Sequence, residues 1–383
     1  MKKDINALKE NLVRFIIDGK IKKNEFGRFE SETDWRRQIR GITVKWAKKL
    51  PVTEVTEHFN HPFLARIIGL HQNTNLQSWQ IAGLFAGLSE IGEKEIIKQL
   101  TSQFIDKKGK WISPPKEVDF ALLSYELLKN EENSELIFPA MKIMYQAICQ
   151  NIGCDGTVLY RKNIDGIRFV DTVGMICSFL LLYGEKYNDK ESVNLAYHQI
   201  SGFLEKGLDS NGLPFHAYSL VTGDKLGIGS WCRGIGWLSL GFSEFIALNN
   251  TSEQNLLIIE KAIGLADNLL NYQNECGGFS WMVTEKGRTE SSGTALLGNF
   301  YLDLFEKFNK EDYLSAAKKC QNSLMLNTAN DGIIWFAQGD SKAVGLYSHD
   351  FKAMPFAQGY TLKLASRLYR LSQLDSYREP LIR

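Results

Sequence analysis

Apolar residues recur along the chain in two alternating patterns. In the first, one face is apolar and the rest charged, as in Ile137, Met141, Met144/Tyr145 and Ile148, or Val193, Ala196/Tyr197, Ile200 and Phe203/Leu204, or Leu256, Ile259, Ile263, Ala266 and Leu270. Steps of three and four predict amphipathic helices on the outside of a layered structure. In the second, residues 168–186, 231–249, 289–308 and 353–372 are apolar or small nearly all round, which predicts helices buried on most sides. The runs near 76–91 and 117–130 make six such inner helices. Outer partners are predicted near 93–105, 135–150, 190–206, 253–273 and 311–326, with the sixth drawn from the first 50 residues. Twelve helices in six hairpins, inner ones buried and outer ones amphipathic, predict an all-α closed double ring, the (α/α)6 barrel.

A glycine followed by an aromatic punctuates the hairpins: Gly109-Lys-Trp111, Gly156 to Tyr160, Gly212 to Phe215, Gly278 to Trp281 and Gly332 to Trp335. The interval is irregular, roughly 50 residues, a size suited to a two-helix unit plus loops. The aromatic stretches are short enough to be loop hairpins. With eight prolines and no linker or low-complexity segment, the expectation is a single catalytic domain over 1–383, residues 1–70 supplying N-terminal helices that complete the outer ring.

Composition narrows the partners. Of 383 residues, 44% are apolar, ample for a large core, and 45 basic against 44 acidic residues leave a net charge of +1. Such a balance provides no global field for nucleic acid or an anionic membrane, so anion recognition must be local. No stretch approaches the roughly 18 apolar residues of a membrane helix. The segment Met1 to Glu10 starts as a charged amphipathic helix where a signal peptide would be apolar, so a cytoplasmic protein, monomer or homodimer, is expected. The six cysteines are scattered without metal spacing, and no metal is expected.

In a ring of hairpins the loops entering the inner helices meet at one mouth, so the first residues of each inner run are the candidates for chemistry. Trp231-Cys-Arg-Gly-Ile-Gly-Trp237 places Arg233 and Trp237 four residues apart on one helical face, a cation beside a flat apolar platform. A buried tryptophan pair with a structural ion pair is the competing reading. Asp171, in Arg168-Phe-Val-Asp-Thr-Val-Gly-Met175, and Asp119, one hairpin earlier, are either helix caps or a coupled pair for acid/base work. For Asp171, desolvation and a helix N-terminus pull the pKa in opposite directions. His216 and His349 either bind sugar hydroxyls or bond backbone. Trp79, Trp231 and Trp237 either stack a sugar or fill core. Ser291, Ser292 and Thr294 either donate to a substrate carboxylate or cap a helix. The serine-elbow, P-loop, dinucleotide and zinc-protease motifs do not occur.

Four segments in order, Phe169 to Met175, Trp231 to Trp237, Glu290 to Ala295 and Pro355 to Tyr360, resemble the unsaturated uronyl hydrolases of glycoside hydrolase families 105 and 88. The resemblance runs from about Trp79 to Tyr369, and the Trp-x-Arg-Gly-x-Gly-Trp element is its most specific part. It implies an (α/α)6 barrel acting on oligosaccharides left by polysaccharide lyases, whose terminal uronic acid carries a C4=C5 double bond. An aspartate would protonate C4, water would add at C5, and the hemiketal would open to release the saccharide. By this resemblance Asp171 matches the acid/base and Asp119 the second aspartate. His216 matches the histidine of the Gly-Leu-x-x-His turn, Arg233 the site arginine, and Trp79, Trp231 and Trp237 the stacking tryptophans. No cofactor is implied.

Three departures bear on specificity: Val118 stands where glucuronyl hydrolases have histidine, Ile235 where asparagine is usual, and Arg168-Phe-Val precedes Asp171 in place of a tryptophan-containing stretch. They favour a rhamnogalacturonyl-type substrate. The alternatives are another (α/α)6 sugar enzyme, an inverting glycosidase or epimerase on saturated substrates, and a non-catalytic carbohydrate-binding barrel.

Overall fold

The computed structural model describes residues 25–51, 53–55, 72–74, 76–341, 343–348 and 351–378. Expectations for residues 1–24 and for His349 lie outside them. The described helices are α1 (Glu32–Lys48), α2 (Ser78–Glu90), α3 (Lys94–Thr101), α4 (Phe120–Asn130), α5 (Ser134–Cys149), α6 (Val170–Tyr187), α7 (Lys190–Lys206), α8 (Cys232–Ala247), α9 (Glu253–Leu269), α10 (Ser291–Phe308), α11 (Glu311–Leu326) and α12 (Pro355–Arg378). No helix among the described residues is long and apolar enough to cross a membrane.

The even-numbered helices α2, α4, α6, α8, α10 and α12 pack each against the next, and α12 packs against α2, closing the inner ring. Each is covered outside by α3, α5, α7, α9, α11 and α1 respectively. The two periodicities separate accordingly. In α6, residues 170–181 are all buried, whereas α7 buries Ala196, Tyr197, Ile200 and Phe203 and turns its charges outward. The sixth outer helix is α1, tied to α12 through Gln358 Nε2, which donates to the Ile39 carbonyl at 3.2 Å. The third and fourth outer helices start on side-chain caps: Asp189 accepts from Ser192 N–H and Ser252 from Asn255 N–H.

Five outer helices end in one repeated turn. An N–H donates to the carbonyl four residues on, at Asp106→Lys110, Gly153→Thr157, Asp209→Leu213, Asn274→Gly278 and Ala329→Ile333, around a glycine at the fourth place. That glycine has φ between +72° and +85° (Gly109, Gly156, Gly212, Gly277, Gly332), a conformation that penalises any side chain. In the fourth turn it is therefore Gly277, not the Gly278 of the sequence motif.

The turns and three small antiparallel sheets gather where the chain enters the inner helices. These are β1 (Thr53–Val55) with β2 (Gln72–Thr74), β3 (Ile167–Phe169) with β4 (Ala217–Ser219) and β5 (Lys225–Leu226), and β6 (Ala337–Gln338) with β7 (Phe351–Lys352). The opposite end of the ring holds a charged cavity of about 250 Å³ to which all six inner helices contribute, through groups such as Glu126, Lys129, Glu244, Asp303 and Lys363.

Candidate active site

The register of one small sheet creates the centre of the site. Phe169 pairs with Ala217, and one step further Val170 N–H donates to the His216 carbonyl at 2.9 Å. Asp171, second residue of α6, thus comes beside the His216 ring: Nε2 lies 3.4 Å from Asp171 Oδ2. Asp171 is 8% exposed, His216 2%, and Oδ2 has no hydrogen-bond partner. Asp171 is not a side-chain cap, because the capping position of α6 belongs to Phe169.

Asp119 stands just before α4 and makes no capping bond either. Its carboxylate accepts from Arg161 Nη2 at 3.0 Å, and Arg161 Nε reaches Glu117 at 3.3 Å while its guanidinium lies 4.1 Å over the Tyr160 ring. Burial pushes the Tyr160 hydroxyl far up, and the negative charges of Asp119, Asp171 and Asp340 push it further.

Arg233 is buried on α8, 5.3 Å from the Trp231 ring and 5.8 Å from that of Trp79. Its Nη1 donates to the Gln338 carbonyl and Nη2 to that of Gly339 at 2.8 Å, with Asp340 Oδ1 3.9 Å away. Trp231 Nε1 donates to Gln338 Oε1 at 2.8 Å and Trp79 Nε1 to Gln77 Oε1 at 2.6 Å. Each indole is therefore fixed by its polar edge. The segment after β6 carries the third acid: burial pushes the Asp340 carboxyl up, Arg233 and Lys352 pull it down, and Asp171 raises it.

Several expectations need correction. Ser291, Ser292 and Thr294 do not face the mouth. Ser291 Oγ donates to the Trp335 carbonyl at 2.6 Å, Ser292 Oγ to Glu290 Oε1 at 2.6 Å, and Thr294 Oγ1 accepts from Phe279 N–H at 3.0 Å, all in fully buried surroundings. Glu290 organises that entrance, accepting also from the N–H groups of Ser292, Gly293 and Gln338. Trp237 packs edge-on against Trp79 at 5.6 Å and at a tilt against Phe356 at 5.1 Å, which sets it behind the Trp79 indole. Arg168 is spent on Asp155 and Thr157, each at 2.5 Å.

Asp340, Tyr160, Arg161, Gln77 and Tyr347 were missed by sequence reasoning. Tyr160 and Arg161 follow the Gly156 turn, where the recurring aromatic was the available signal; Asp340 and Tyr347 lie in irregular chain without one. Among the described residues no group of three or more His, Cys, Asp or Glu is arranged to hold a metal.

Acids, a histidine, a guanidinium and indoles at one mouth of a closed helical ring suit acid/base work on a sugar. The profile of Glycosyl Hydrolase Family 88 matches residues 85–371, which include every described candidate except Trp79. The chain belongs to Glycosyl Hydrolase Family 88. Its fold is shared with a possible GH105 family member from Salmonella enterica serovar Paratyphi A (16% identity, 90% of this chain and 96% of that one, TM-score 0.75). It is shared also with an unsaturated glucuronyl hydrolase specific for heparin (14%, 89% and 98%, TM-score 0.68) and one from Bacillus sp. GL1 (16%, 89% and 97%, TM-score 0.67). A chain described as a polysaccharide lyase has this fold too (16%, 90% and 99%, TM-score 0.64), so fold alone does not select the reaction. A search of curated proteins finds no match.

Proposed function

We propose that this family 88 hydrolase removes the terminal 4,5-unsaturated uronic acid from lyase-generated oligosaccharides. The observation that carries the reading is Asp171: a buried carboxyl at the start of an inner helix, not used as a cap, whose Oδ2 has the His216 imidazole 3.4 Å away. Protonated Asp171 would give its proton to C4 of the enol ether, leaving positive charge shared between C5 and the ring oxygen. Water then adds at C5 and returns a proton to the Asp171 carboxylate. The C5 hemiketal opens to a ketone, and the remaining C1 hemiacetal collapses to an aldehyde, freeing the saccharide. A family relationship and neighbours named for unsaturated glucuronyl substrates support this over a saturated glycoside.

Asp119, held by Arg161, would keep a negative charge opposite Asp171. Trp79 and Trp231 would flank the sugar ring and Arg233 hold its pinned positive charge near the uronate carboxylate. Val118, buried in the core, provides no imidazole before Asp119 and favours a rhamnogalacturonyl-type aglycone. The six cysteines are all free, which supports a reducing cytoplasm, and we place the enzyme there as a monomer or homodimer with the whole chain as one catalytic unit. A panel of lyase-generated unsaturated disaccharides tests the function: ultraviolet absorbance of the conjugated double bond should disappear with at least one member. Unchanged absorbance with every member, alongside cleavage of a saturated glycoside, would overturn it.

A further inference from the structure

Behind His216, away from Asp171, stands a phenol that the reaction scheme does not use. Tyr347 comes from residues 343–348, 131 positions beyond His216, and its Oη lies 3.1 Å from His216 Nδ1. The same oxygen accepts the Ile228 N–H at 2.8 Å. Room for it is made by Gly227: a Cβ there would lie 2.7 Å from Tyr347 Oη and 2.8 Å from His216 Cβ, and φ is +80°. A side chain at position 227 would therefore displace the phenol or the imidazole.

The Tyr347 ring is also wedged, 5.3 Å from Trp231, 5.4 Å from His216 and 6.0 Å from Trp281. His216 is confined between Trp231 at 4.6 Å and Phe169 at 5.6 Å. Among the described residues, the titratable groups facing the imidazole are Asp171 from α6 and Tyr347. Burial, reinforced by the Asp171 charge, pushes the Tyr347 hydroxyl up to about 12 against the Ile228 N–H, so it keeps its proton.

We propose that Tyr347 is a positioning residue, its hydroxyl donating to His216 Nδ1 and thereby placing the imidazole proton on Nε2, directed at Asp171 Oδ2. Because the phenol oxygen already accepts the Ile228 N–H, its own proton is the one left to give. The imidazole then presents a donor to Asp171 Oδ2, a buried oxygen without another hydrogen-bond partner. The inference rests on Asp171 being the acid/base of the proposed function, but its first test does not require turnover.

Protein labelled with ¹⁵N at histidine, with a His216→Gln spectrum to assign the signal, reports the tautomer directly. The expected result is neutral His216 protonated at Nε2 in the wild type and a mixture of tautomers in Tyr347→Phe. A wild-type proton on Nδ1, or an unchanged tautomer in Tyr347→Phe, would overturn the proposal. On an unsaturated disaccharide, Tyr347→Phe should lower kcat on the order of 10-fold with KM nearly unchanged. An unchanged kcat would count against the proposal. Absence of turnover in the wild type would instead defeat the functional reading, leaving the tautomer measurement to decide the role of Tyr347.

Discussion

Asp171 and Asp119 sit at equivalent places on neighbouring inner helices yet have different surroundings. Arg161 donates through Nη2 to Asp119 at 3.0 Å, whereas among the described residues Asp171 has a single imidazole at 3.4 Å and no ion pair with Lys or Arg. The difference suits a division in which one carboxylate stays ionised and the other trades a proton. Asp171→Asn should therefore reduce kcat by roughly 10³-fold or more while leaving thermal unfolding nearly unchanged, checked by absorbance assay and calorimetry on the same preparation. Asp119→Asn removes the negative partner of Arg161 Nη2 and leaves Glu117 as its carboxylate among the described residues, so both KM and kcat should suffer, by about 10-fold or more combined. Of the positions expected from sequence at this scale, Asp171, Asp119 and Arg233 stand at the start of apolar runs, where a polar residue stands out, and His216 follows a glycine turn. Ser291, Ser292 and Thr294 stand out equally but are consumed by Glu290 and by backbone groups, a competition visible only once Trp335 and Phe279 are brought beside them. Asp340 and Tyr347 meet Arg233 and His216 across more than a hundred residues of chain, and no local pattern reports that.

The helices were legible because burial sets their composition. An inner helix touched on all sides is apolar throughout, and an outer one keeps a stripe, so α6 and α7 differ in sequence as they do in packing. Where inner helices cross most closely, small residues are compulsory. At the seam that closes the ring, a Cβ on Gly83 would lie 2.6 Å from Phe356 Cα, one on Gly87 2.6 Å from the Gly359 carbonyl oxygen, and one on Gly359 would collide with the Gly83 carbonyl. Backbone atoms cannot step aside as side chains do. Gly359→Ala should thus destabilise by roughly 3 kcal/mol or more, or prevent folding. Gly264→Ala, exposed on outer helix α9 with nothing within 4 Å of the new methyl group, should stabilise by up to about 1 kcal/mol. Denaturant midpoints of the two variants check the contrast, and equal effects would show that the seam is looser than the α2–α12 geometry implies.

The whole molecule is a ring with unlike ends. Helix starts, small sheets and five matched turns build the catalytic mouth, while helix ends enclose the charged cavity. There Arg367 pairs with Asp303 and Glu306, each at 2.8 Å, and Glu244 accepts from Tyr125, but Glu126, 2% exposed, leaves Oε2 without a partner. Burial pushes the Glu126 carboxyl up despite Lys129 and Lys363. The folded chain then keeps a proton that the unfolded chain has released, so stability falls as pH rises from the ordinary glutamate value toward the raised one. Over that window the loss amounts to as much as about 1.4 kcal/mol per pH unit. Glu126→Gln should lack this slope, seen as a stability gain over wild type that grows as the pH rises above the ordinary glutamate value in urea unfolding. Parallel curves for the two proteins would contradict it.

At the other end, Asp171 is assigned the delivery of a proton to C4 of an unsaturated uronide. The most direct measurement is turnover of a lyase-generated unsaturated disaccharide in D₂O, followed by NMR of the released sugar acid, with wild type and Asp171→Asn side by side. The wild type should yield one deuterium at C4 with loss of the double-bond signal, and Asp171→Asn should leave the substrate intact. Cleavage that leaves C4=C5 in place, or full turnover by Asp171→Asn, would contradict it.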